Sequence, residues 1–165
     1  MMVFPFRVLV LAASLALAAT ATPAQDAKIA FGGLKQDTSL PVDVQADQLA
    51  VNNADGTAIF TGNVLVGQGE MRIAAGEVRV TYGADGKSIA QLVASGGVTI
   101  SNLADAAEAR EALYTIDSGV VVMTGDVLLT QGASAIAGQK LTIDLKTGTG
   151  TMAGRVSTTF VPSGN

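Results

Sequence analysis

Ile59-Phe60-Thr61-Gly62-Asn63-Val64-Leu65-Val66 returns 63 positions later as Val122-Met123-Thr124-Gly125-Asp126-Val127-Leu128-Leu129. The same offset carries Gln68-Gly69 onto Gln131-Gly132 and Ile73-Ala74 onto Ile136-Ala137. It also carries Val78-Arg79-Val80-Thr81-Tyr82 onto Leu141-Thr142-Ile143-Asp144-Leu145. A fixed offset over this length is an internal repeat, covering 46–82 and 109–145, and a repeat fixes architecture before any motif does.

Each copy alternates. Val78, Val80 and Tyr82 are separated by Arg79 and Thr81, and Leu141, Ile143 and Leu145 by Thr142 and Asp144. A period of two means strands with one buried and one wet face. Turn chemistry divides the runs at Asn52–Gly56, Gly83–Lys87, Asp117-Ser118-Gly119 and Thr147–Gly150. Gln68-Gly69-Glu70 and Gln131-Gly132-Ala133 are turns at equivalent places. Glycine and Asn or Asp supply the positive φ that tight turns need. Short strands at such spacing predict an all-β domain over 40–161, an antiparallel sandwich, roll or barrel.

Leu103 to Leu113 has the composition of a helix. The repeat answers differently, because Ala109–Tyr114 aligns with Ala46–Val51, which enters a hairpin. We read Ala109–Ile116 as a strand, with at most one helical turn near Leu103–Ala107, since propensity yields to tertiary context. A shorter theme, Gly-x-Val, recurs at Gly62, Gly96, Gly125 and Gly154. Glycine within a strand marks a bulge or bend, so the chain reads as about four stacked hairpin-like units in a regularly curving sheet.

Alternation places Phe60, Val64, Val66, Ile73, Val78, Val80 and Tyr82 on the inner face of the first copy. Val98 and Ile100 follow, with Leu92 beside them. The second copy adds Met123, Val127, Leu129, Ile136, Leu141, Ile143 and Leu145, and Met152 and Val156 extend the row. The set is aliphatic and slim, with aromatics at 4% of the chain and no Trp. Such a face either packs tightly as a plain core or parts slightly to admit acyl chains. Ile59 and Leu65, mirrored by Val122 and Leu128, make an outer apolar pair that suggests a covered surface or binding patch. A stacked-strand fold also leaves open edges at its ends, where a strand from another copy or another protein can add.

Composition removes whole classes of chemistry. The chain has no His and no Cys, so zinc sites and Ser-His or Cys-His nucleophiles are excluded. The carboxylates Glu70, Glu77, Asp126 and Asp144 sit beside turns or on outward strand positions and read as solvated surface. We expect no catalytic residues, no metal and no cofactor. A net charge of -4 argues against nucleic acid, whose phosphates need a cationic footprint. Arg7, the apolar run Val8–Ala19 and the small residues Thr22-Pro23-Ala24 predict a secretory signal peptide over 1–24. Residues 25–39, polar with Gly32-Gly33, read as a flexible lead-in.

Phe60-Thr61-Gly62-Asn63-Val64, then Gln68-Gly69, Val78–Tyr82, Asp85-Gly86-Lys87 and Val93-Ala94-Ser95-Gly96-Gly97-Val98 together resemble the OstA-like domain family of periplasmic lipopolysaccharide-transport proteins. Leu40–Asp47 resembles that family's entry strand and Met123-Thr124-Gly125-Asp126-Val127 its later repeat. The resemblance implies a curved, slightly twisted β-jellyroll with open ends. It implies a periplasmic, non-enzymatic carrier that holds the acyl chains of lipopolysaccharide along its apolar interior. It also implies inner-membrane and outer-membrane export partners joined by edge-strand stacking, and a head-to-tail homo-oligomer. An end soon after Val161-Pro162 is expected to weaken those contacts. The alternatives are a membrane-anchored sibling in the same export pathway and a carbohydrate-binding β protein of the envelope.

Overall fold

The computed structural model describes residues 27–30, 34–103 and 105–159. The expected signal peptide and the last residues of the expected domain lie outside these. The described residues contain no α-helix and form β1 (Ala27–Ala30), β2 (Asp43–Gln45), β3 (Gln48–Asn52), β4 (Thr57–Gln68), β5 (Met71–Tyr82), β6 (Ile89–Ser95), β7 (Val98–Asn102), β8 (Asp105–Ala109), β9 (Glu111–Thr115), β10 (Val120–Gln131), β11 (Ser134–Asp144), β12 (Thr149–Ala153) and β13 (Ser157–Thr159). They make one 13-stranded sheet, antiparallel at each of its pairings.

Two long hairpins carry the repeat. In β4–β5 the ladder runs Thr57↔Thr81 to Gln68↔Met71, and in β10–β11 Val120↔Asp144 to Gln131↔Ser134. Both ladders slip at the same place, between Thr61 and Val64 and between Thr124 and Val127. The slip is the Gly-x-Val motif. Each of its four copies is a pair of left-handed residues: Gly62 (φ 81) with Asn63 (45), Gly96 (80) with Gly97 (81), Gly125 (87) with Asp126 (48), and Gly154 (81) with Arg155 (49). The first position needs glycine. The second tolerates Asn and Asp, which enter this region more readily than most residues do.

The slips lie along one line across the sheet. The Gly62 carbonyl accepts from the Asp47 amide at 2.9 Å, Gly125 from Arg110 at 3.1 Å, and Gly154 from Gln139 at 3.1 Å. Gly96 instead meets Gly76, whose Cα would lie 3.2 Å from a Cβ added there. On either side of this spine the neighbours change. β4 pairs β3 before it and β2 after it, β10 pairs β9 then β8, and β5 pairs β7 then β6. The sheet thus folds along the spine into two facing halves. The first holds β3, β6, β9, β12 and β1 with the adjoining parts of the long strands, and the second holds β2, β7, β8 and β13 with the rest. This is a β-jellyroll, with one continuous apolar cluster between its halves.

At the Ala-rich segment the sequence allowed at most one helical turn near Leu103–Ala107, and among the described residues a strand stands there instead. Leu103 turns the chain at φ 52, and β8 begins at Asp105. Two ladders outweigh propensity there, because Ala107 is fully buried between Ile100 of β7 and Leu129 of β10. The strand expected over Ala109–Ile116 is present as β9, with the spine crossing at Arg110. Parts of the expected lead-in 25–39 lie among the described residues. Ala27–Ala30 pairs with β12, and Leu34 is buried in the core.

Gly125→Val is expected to destabilise the protein by about 1–3 kcal/mol. A β-branched residue is a true outlier at φ 87, and its Cβ would lie 3.0 Å from the Arg110 side chain. Gly132→Asn, at φ 55 with open space around it, is expected to cost under about 1 kcal/mol. Urea unfolding of both variants measures the difference.

Candidate functional site

The interior between the two halves is the candidate site. Of the residues that alternation placed inward, Val64, Val66, Ile73, Val78, Val80, Val98, Ile100, Met123, Val127, Leu129, Ile136, Leu141, Ile143 and Leu145 are all buried. Phe60 and Tyr82 are half-buried and pack against the same cluster. The inward parity changes within β5, from Ile73 and Ala75 to Val78 and Val80, and in β11 from Ile136 to Leu141. These changes lie opposite the two slips, so the inner face stays continuous through both copies.

The halves are closely packed. The cavity lined by Val66, Ile73, Val78, Leu92, Ala94, Ile100, Ala112 and Tyr114 measures about 10 Å³. That is room for roughly one water. The interior is apolar: among the described residues, the buried polar ones are Gln68 and Asn102, and none is charged. The Asn102 Oδ1, on a side chain 3% exposed, has no hydrogen-bond partner.

Gln68 and Tyr114 close the lip opposite the spine. The Tyr114 hydroxyl, from β9, donates to Gln68 Oε1 at 2.8 Å across the gap between the halves. Burial pushes the Tyr114 phenol up to about 12, against the opposing pull of its bond to Gln68, so the group stays a donor even above pH 10.0. Gln68 Nε2 donates to the carbonyls of Thr38 (3.1 Å) and Leu40 (2.9 Å), and its own carbonyl accepts from Gln36 Nε2 at 2.5 Å.

At the β3 end the interior is open. Leu49 and Val51 stand opposite Phe60 and Ala58 and share their inner face. They are 55% and 59% exposed, whereas their equivalents in the second copy, Ala112 and Tyr114, are 5% and 2% exposed. What β9 covers by pairing with β6 is bare on β3, whose ladder partner is β4. The outer pairs Ile59 with Leu65 and Val122 with Leu128 lie on opposite sides of the spine and form no single patch.

Sequence reasoning missed Leu34, Met71, Val121, Tyr114 and Gln68. Alternation from Ala112 would have found Tyr114. Leu34 stands alone among polar residues and glycines and carried no periodic signal. The described residues hold no cluster of groups able to bind a metal, and no helix long and apolar enough to cross a membrane.

Comparison with known proteins places this architecture. Residues 43–149 match the family model for the LptA/(LptD N-terminal domain) LPS transport protein. The chain is 31% identical over 138 residues to the lipopolysaccharide export system protein LptA of Escherichia coli K12, covering 77% of this chain and 74% of that one. It is 29% identical over 140 residues to protein R00383 of Rhizobium meliloti, across 80% and 75% of the two chains. The fold matches that of LptH, the LptA-homologous periplasmic component from Pseudomonas aeruginosa, with a TM-score of 0.69 at 18% identity, covering 77% of this chain and 99% of that one. The chain therefore belongs to the LptA/(LptD N-terminal domain) family of lipopolysaccharide transport proteins.

The phenol shift gives a pH test. The raised folded-state value favours the protonated form, so its contribution is complete below pH 10.0 and is lost as the pH rises toward about 12. The stability difference between wild type and Tyr114→Phe is expected to stay constant up to pH 10.0 and to shrink above it. Denaturant unfolding across that range measures it.

Proposed function

We propose that this protein carries lipopolysaccharide through the periplasm toward the outer membrane, without catalysis, its acyl chains running between the two half-sheets. The observation that carries this reading is the uncharged apolar track. It passes through both repeat copies and emerges at the half-exposed Leu49 and Val51 of β3. A plain core would be sealed at its end by larger or polar residues, as exposed apolar edges invite pairing. The Escherichia coli relative is a lipopolysaccharide export system protein, which supports the same reading over an envelope carbohydrate-binding protein. Its partners are the inner-membrane and outer-membrane components of that system and further copies of this chain, joined edge to edge. The residues that contact the acyl chains are the inward set, from Phe60 and Val64 of the first copy to Ile143 and Leu145 of the second.

Photo-crosslinking amino acids at Val80 and Ile143 are expected to capture lipopolysaccharide in cells. The outward neighbours Arg79 and Thr142 are expected to capture little. Equal labelling of both faces would sink the reading.

The open end yields a separate expectation. Val51→Asp puts a charge on the exposed inner edge, where it should weaken assembly while shifting the thermal midpoint only slightly, because the site is already wet. Sedimentation of wild type and variant checks the first effect and thermal unfolding the second.

A further inference from the structure

The segment 34–40 crosses the lip between the half-sheets, opposite the spine. Its C-terminal end leads into β2, where Val44 pairs with Val66 of the second half-sheet. Its other end is docked on the first. Leu34 is fully buried, and the Gln36 amide donates to the Leu145 carbonyl at 2.8 Å. Thr38 lies beside Gly119, where an added Cβ would come within 3.2 Å of Thr38 Cγ2. Gln68 fastens the middle. Its amide binds the Thr38 and Leu40 carbonyls, and its Oε1 accepts the Tyr114 hydroxyl from the opposite half.

Between the halves, beside Tyr114, the cavity measures about 10 Å³, too small for an acyl chain. The halves must part before one can lie between them. The spine is not the place for that movement, because the long strands β4, β5, β10 and β11 run unbroken through it. The lip can, since the bonds traced across it are few: the Tyr114 hydroxyl to Gln68 Oε1, and the Gln36 amide to the Leu145 carbonyl at the strap's far end.

We propose that residues 34–40 are a lid, latched by Gln68, that must release before acyl chains enter from the side. This rests on the lipopolysaccharide reading above. Gln68 ties the middle of the lid to the opposite half-sheet through Tyr114, so its release loosens the lip and leaves the Gln36 to Leu145 bond to open with it. Leu34 leaves the core in the same step and vacates apolar volume beside the incoming chain.

The chain contains no Cys, so a staple can be added cleanly. Thr38→Cys with Gly119→Cys suits a disulfide, because Thr38 Cγ2, a position its Sγ can take, lies 3.2 Å from a Cβ added at Gly119. With one end of the strap rooted in β2, this bond locks the lip. Uptake of fluorescently labelled lipopolysaccharide is then followed for the full chain, oxidised and reduced. Loss of uptake on oxidation, restored by reductant, is the expected result. Equal uptake by both forms overturns the lid and leaves the lipopolysaccharide reading standing. Failure of reduced variant and wild type alike overturns that reading and the lid with it. Gln68→Leu tests the latch without a residue at the strained Gly119 position. It is expected to take up the lipid faster than wild type, and an equal or slower rate overturns the latch.

Discussion

The two-residue left-handed step in the strands is the constraint on which this structure depends. A strand with Gly62-Asn63 or Gly125-Asp126 in that conformation cannot stay straight, since it carries one more residue than its partner between the same ladder bonds. A single step would bend one hairpin. Four steps, aligned by the backbone bonds of Asp47, Arg110 and Gln139 to the glycine carbonyls, fold the whole sheet about one line. The apolar interior follows from the fold line, because the inner faces of both halves then have nothing to meet but each other.

The side chains at these steps differ while the geometry stays. In the first copy Asn63 donates to Asp47, and in the second Arg110 pairs with Asp126, which also accepts from Gln139. The polarity is reversed between copies, yet the backbone bond beneath is the same. These exposed contacts add little, as surface pairs do. The positive φ values and the ladder hold the corner.

Much of the interior was legible in the sequence, for a physical reason. Strand alternation is a local property, and the repeat supplied a second reading of each position, so even the parity change between Ile73 and Val78 came out correctly. The lip was not legible. Gln68 looked like part of a turn, and its role depends on Thr38, Leu40 and Tyr114, which are distant in sequence. Leu34 carried no period, and its burial depends on a crossing that only the folded chain reveals. The strand β8 was masked by alanines, which suit a helix in isolation but fit between Ile100 and Leu129 once both ladders exist.

The offset of 63 residues has a spatial meaning as well. From β4 to β10 the ladder advances four strand positions, through β5, through β6 with β7, and through β8 with β9. At about 4.8 Å per strand, one copy of the repeat is worth roughly 19 Å of travel along the sheet. Length in this architecture is therefore counted rather than tuned. A chain that gained or lost one copy would change its reach by that fixed increment while keeping the same cross-section, and a protein built so can be fitted to the gap it spans by duplication alone.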